Sequence, residues 1–149
     1  MKQTIEPVTV RRAAFAFCRW TMALLVWAAW YFNAPTILLL SFCIFAASAV
    51  LKVNRAPLVM LYTAGVERFL PSSEVMLDAR GMRFAHMLAA GIAGLCLLVL
   101  YLGNPAIGWN IVFVFALLKT VSATGFCPAT RLYTCMTGGN CCAFLKKRA

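Results

Sequence analysis

The chain has 149 residues, is 63% hydrophobic and 12% charged, and carries a formal net charge of +10; its mean hydropathy is +0.84. A soluble domain holds about 25% charged residues, so this chain lacks the polar surface that water demands and is expected to be an integral membrane protein. Its positive charge comes without a basic stripe interleaved with aromatics, which argues against a nucleic-acid partner and for anchoring to the anionic headgroups of a lipid bilayer.

Crossing roughly 30 Å of hydrocarbon takes a helix of about 20 apolar residues. Four stretches are predicted to do so, at residues 13–32, 36–53, 84–102 and 106–124. The first is longer than a signal-peptide core and is followed at once by another apolar run, so it is read as a retained span. The second is short, and Lys52 would have to snorkel to the headgroups. Trp20, Trp27, Trp30, Tyr31, Tyr101 and Trp109 fall mostly near predicted span ends, as an aromatic belt does. Asn33-Ala34-Pro35 and Gly103-Asn104-Pro105 interrupt the two apolar runs without any charge, and each proline suits the first position of the following helix.

The basic residues lie elsewhere. Lys2, Arg11, Arg12 and Arg19 come first; Lys52, Arg55, Arg68, Arg80 and Arg83 lie between the apolar runs; Arg131, Lys146, Lys147 and Arg148 close the chain. Lys and Arg flanking a span stay in the cytoplasm, so both termini are expected there, most simply at a bacterial inner membrane. Residues 58–70 place Leu58, Leu61, Tyr62, Val66, Phe69 and Leu70 on one helical face, which predicts a helix lying on the cytoplasmic interface. Ser72 or Ser73 would then cap a short acidic turn containing Glu74 and Asp78.

The two halves match in places. Pro57, Leu61, Tyr62 and Thr63 align with Pro128, Leu132, Tyr133 and Thr134 at one constant spacing. The expected fold is an all-α membrane protein: four transmembrane helices as a duplicated two-helix hairpin, with a cytoplasmic interfacial helix and a Cys-rich C-terminal tail. The whole of 1–149 forms one membrane domain, with repeats at about 11–70 and 80–142.

Seven cysteines are present. Cys18, Cys43 and Cys96 lie inside predicted spans, where a free thiol packs as a small hydrophobe. Cys127 stands where the first repeat has Ala56, between Gly125, which allows a helix to end, and Pro128, which stops that helix or opens the next. A thiol just before a new helix feels the positive end of its dipole and becomes more acidic. Cys135 and the vicinal pair Cys141-Cys142 follow. Soft thiolates suit Cu(I), Zn(II) or Hg(II), but the spacing of Cys127, Cys135, Cys141 and Cys142 matches no standard zinc pattern. His86, the only histidine, is expected at the depth of Cys127, so a Cys–His pairing is geometrically open. Arg83 is near enough in sequence to attract an anion or to favour a thiolate. Lys119 is an ionisable residue within a predicted span, a functional candidate by default. No predicted span carries Asp or Glu, which argues against a carboxylate proton relay.

Arg83-Phe84-Ala85 at the start of the third predicted span and Gly125-Phe126-Cys127 at the exit of the fourth resemble an uncharacterised family of small bacterial membrane proteins, catalogued as a domain of unknown function. The same exit is similar to that of the two-span hairpin appended to some membrane rhodaneses, which are sulfurtransferases. That resemblance implies a sulfur or thiol context. The reading is therefore a persulfide or thiol relay at the cytoplasmic face, with Cys127, His86 and Arg83 as its site and a rhodanese- or thioredoxin-like protein or a second copy as partner. The alternatives are a soft-metal module built on Cys127, Cys135, Cys141 and Cys142, and an anchor for a soluble thiol enzyme.

Overall fold

The computed structural model describes residues 7–51, 57–65 and 74–138. Among them, strand β1 (Pro7–Arg11) runs straight into helix α1 (Arg12–Tyr31), followed by α2 (Pro35–Val50) and α3 (Pro57–Gly65). Strand β2 (Glu74–Asp78) leads into α4 (Ala79–Leu102), then α5 (Pro105–Ala123) and α6 (Pro128–Gly138). Proline is the first residue of α2, α3, α5 and α6; its fixed φ suits a first helical turn, where a missing N–H leaves no bond unmade. The uncharged turns are as local as the sequence suggests. Asn33 takes φ 48° between α1 and α2, a left-handed conformation that asparagine tolerates. Asn104 caps α5 by accepting the Ala106 N–H at 2.9 Å.

Each of the four longer helices turns one narrow stripe inward. On α1 that stripe is Cys18, Met22, Val26 and Ala29, and on α2 it is Leu38, Ser41, Phe45 and Ser48. Ala89, Ala93, Cys96 and Leu97 of α4 meet Val112, Phe115 and Ala116 of α5 in the same core. The inward residues are mostly small or polar, while Leu24, Leu40, Leu95, Leu98, Val114 and Val121 point out. Outward leucine around a small-residue seam is what helix packing in lipid favours. Ser41 stays satisfied by donating to the Ile37 carbonyl at 2.9 Å. The small residues Ser48, Ala49 and Ala93 are buried where α2 packs on α4. Trp27 and Trp30, expected in an aromatic belt, instead pack on Phe113 of α5, with ring centroids at 5.8 and 5.0 Å.

Two sequence expectations need correction. First, three helices are long and apolar enough to cross a membrane, α1, α4 and α5, not four. α2 has 16 residues, about 24 Å at the helical rise, and Leu51 after it is already extended with ψ 152°. Apolar composition continues into Leu51, but the helical backbone conformation does not. The duplicated pair of spanning hairpins is therefore not the architecture. Secondly, Glu74 and Asp78 bound a strand rather than a capped turn. β2 pairs antiparallel with β1, Arg11 opposite Glu74 and Pro7 opposite Asp78, so the described residues are not wholly helical. Of the helix expected over residues 58–70, α3 is the described part; Val66, Phe69 and Leu70, the proposed cap at Ser72 or Ser73, and Lys52 lie outside the described residues.

The strand pair and the two short helices gather at one end of the bundle. α3 packs on the start of α1, with Val59 and Tyr62 against Ala14 and the Tyr62 ring 5.4 Å from Phe17. α6 packs on the start of α4, where Tyr133 meets Phe84 at 5.5 Å.

Candidate functional site

Within that end lies a cavity of about 420 Å³, walled by the first half of α1, the last turns of α2 and α5, the start of α4 and the first turn of α6. It is mostly apolar, with Phe15, Met22, Phe45, Ile92 and Phe115 among its walls. Its polar lining consists of Cys18, Arg19, Ser48, His86, Lys119, Ser122, Cys127, Thr130 and Tyr133. No Asp or Glu is among the described residues that line it.

Cys127 owes its position to local rules. α5 ends at Thr124, and Gly125 follows with φ +105°, a conformation a Cβ disfavours. Pro128 then opens α6, and the Cys127 carbonyl accepts the Arg131 N–H at 3.4 Å. Cys127 therefore stands at the N-cap, and its sulfur takes the place of a capping oxygen. Burial pushes the half-buried thiol up. Hydrogen bonds from the Ser122 hydroxyl, from Thr130 through backbone and hydroxyl, and from the Ala129 N–H outweigh that, and the thiol ends below its ordinary value. The single Thr130 hydroxyl proton is shared, since it also reaches the Cys127 carbonyl at 3.0 Å; the two backbone N–H groups are the fixed part of the cradle.

Lys119 enters from the last turns of α5, its ammonium 4.1 Å from the centre of the Phe45 ring. It is within electrostatic reach of Cys127, Cys18 and His86. His86 lines the same cavity from α4, its ring 6.3 Å from that of Phe45. Arg19 stacks on Phe15 at 4.8 Å, and its Nε is buried without a hydrogen-bond partner.

The structure thus brings Cys127 and His86 to one cavity. Arg83 is not among its walls; its Nε donates to the Ala49 carbonyl at 3.2 Å, closing the C-terminal turn of α2. Cys18, Cys43, Cys96 and Cys127 are free thiols. Cys135 is disulfide-bonded, and so is not a second free thiol beside Cys127. Cys141 and Cys142 lie outside the described residues. Among the described residues no three His, Cys, Asp or Glu side chains group to hold a metal ion. Sequence reasoning missed Arg19, Cys18, Ser122 and Thr130 as members of one site. The spacing of Lys119 and Ser122, three apart on one helix face, was the one local signal available.

Bundle, outward leucines and three long apolar helices define a multi-pass membrane protein with a thiol-bearing cavity at one end. Within that class, the chain belongs to the family described as a domain of unknown function, DUF4395, whose model matches residues 9–137. No curated protein and no solved structure matches the chain.

Proposed function

We propose that this protein handles sulfur or thiols, with Cys127 as the reacting thiol. The observation that carries the reading is the cradle around its sulfur: Ser122, Thr130 and Ala129 favour the thiolate at the wall of a cavity that also holds Lys119 and His86. The step is a sulfur transfer. The Cys127 thiolate attacks the outer sulfur of a persulfide donor R–S–SH, the S–S bond of the donor breaks, and the products are Cys127–S–SH and R–S⁻. Lys119, the protonated side chain in that cavity, would supply a proton to the leaving thiolate.

Arg12, Arg80 and Arg131 belong to the elements gathered at the cavity end, and the turns at 32–34 and 103–104 carry no charge. The positive-inside rule favours the cytoplasm for that end, in a bacterial inner membrane. A disulfide on a reducing face is typically of the catalytic or redox-sensing kind, which suits Cys135 in a thiol-handling protein.

The test is peptide mass spectrometry of the purified full chain after exposure to a small-molecule persulfide. The expected result is one added sulfur on the Cys127 peptide, lost in C127S. Equal labelling of Cys43, or none at Cys127, removes the reading.

A further inference from the structure

We infer that the cavity binds a small, singly charged anionic group between Arg19 and Lys119. The inference rests on charge and holds whether or not Cys127 carries sulfur. Arg19 carries a guanidinium cation, and its buried Nε has no partner. Its Nη1 lies 3.7 Å from the point a Cβ on Gly125 would occupy, so the guanidinium reaches the turn that delivers Cys127. Lys119 meets the Phe45 ring and no carboxylate among the described residues. With Cys127 as a thiolate, the pair leaves a net charge of +1; with Cys127 as a thiol, +2.

Charge held against apolar walls is costly unless paired. Aromatic faces at Phe15 and Phe45 offset part of that cost, but neither removes the excess. An anion does. The cavity of about 420 Å³ admits a small solute or the head of a lipid, and its apolar walls select a weakly hydrated, polarisable anion over a strongly hydrated divalent one.

The experiment is equilibrium dialysis of radiolabelled thiocyanate against the full chain in phosphatidylcholine nanodiscs. Saturable binding is expected, with sulfate a poor competitor. Affinity is expected to fall about tenfold in K119M and in R19M, as for loss of a charge-assisted hydrogen bond, and to be retained in K119R and in R12Q, whose side chain lies outside the cavity. C127S is expected to keep or tighten binding, because it removes only negative charge. Since C127S also abolishes sulfur labelling, failure of the anion site and failure of the sulfur reading are told apart in one variant. Displacement of thiocyanate by added phosphatidylglycerol identifies a lipid headgroup as the natural anion; persistence identifies a free solute. Unsaturable uptake overturns the inference, as does binding unchanged in both K119M and R19M when circular dichroism shows them folded.

Discussion

The ammonium of Lys119 lies 4.1 Å from the centre of the Phe45 ring, and Phe45 is fully buried. The ring comes from α2, the helix too short to qualify as a span, and it also faces His86 and Phe115. α2 therefore contributes the wall that separates and steadies the polar groups of the cavity. Phe45→Ala is expected to destabilise the protein by about 3–5 kcal/mol, the range for deleting a buried phenyl group. Phe45→Leu should cost less and act mainly through the lost cation–π contact, about 0.5–2 kcal/mol. Thermal unfolding in detergent, followed by circular dichroism, checks both.

Cys127 should alkylate at a lower pH than an unfolded cysteine. Hydrogen bonds to the sulfur favour its charged form, so removing one raises the thiol pKa and moves the reactivity curve to higher pH. Ser122→Ala is the cleanest change, since it leaves the α6 backbone intact. Initial rates of iodoacetamide labelling across the pH range measure the shift; a curve that stays put would refute the role given to Ser122.

Cysteine oxidation state separates the tail from the cavity. Without reductant, Cys127 is expected to label and Cys135 to resist, because Cys135 is disulfide-bonded. With reductant, both label. Buried Cys18 and Cys96 should react only after unfolding. Differential labelling with two maleimides of distinct mass reads all four positions in one digest.

The Trp27 indole N–H donates to the Thr120 hydroxyl at 2.8 Å, and Thr120 in turn donates to the Ala116 carbonyl at 3.0 Å. This bond ties α1 to α5 near the cavity. Thr120→Val keeps the shape and removes the acceptor, with an expected loss of about 0.6–1.7 kcal/mol, from the average to the largest value for polar contacts between membrane helices. A matching rise in Trp27 fluorescence change on unfolding is not required; the thermal midpoint alone decides.

Gly108 of α5 packs tightly against Leu100 of α4. A Cβ there would sit 2.6 Å from Leu100 Cδ2 and 2.8 Å from its Cγ, closer than van der Waals contact allows. Gly108→Ala should lower stability by about 1–3 kcal/mol, as overpacking does, and Leu100→Ala in the same chain should restore part of it. The double-mutant comparison by thermal unfolding tests the contact directly.

Much of the helical plan was legible. Pro35, Pro105 and Pro128 open helices where the sequence suggests, and Asn33 and Asn104 form the turns, because these preferences are set within a few residues. The strand pair was not legible: Val75 pairs with Val10, and neither segment specifies its partner locally. Nor was the end of α2, since hydropathy continues through Leu51 while the helix does not. Arg83 looked like a site residue from its neighbourhood in sequence, yet its helical position aims it at the Ala49 carbonyl.

The amino-acid sequence alone determined that this chain lives in a membrane, where its turns fall and that Cys127 stands at a helix boundary, because hydropathy and capping are additive, local properties of the residues. Only the tertiary structure decided that Arg19, His86, Lys119 and Cys127 share one cavity. Convergence of side chains depends on which face each helix presents to its neighbours, and that is settled by packing between distant segments rather than by any one of them.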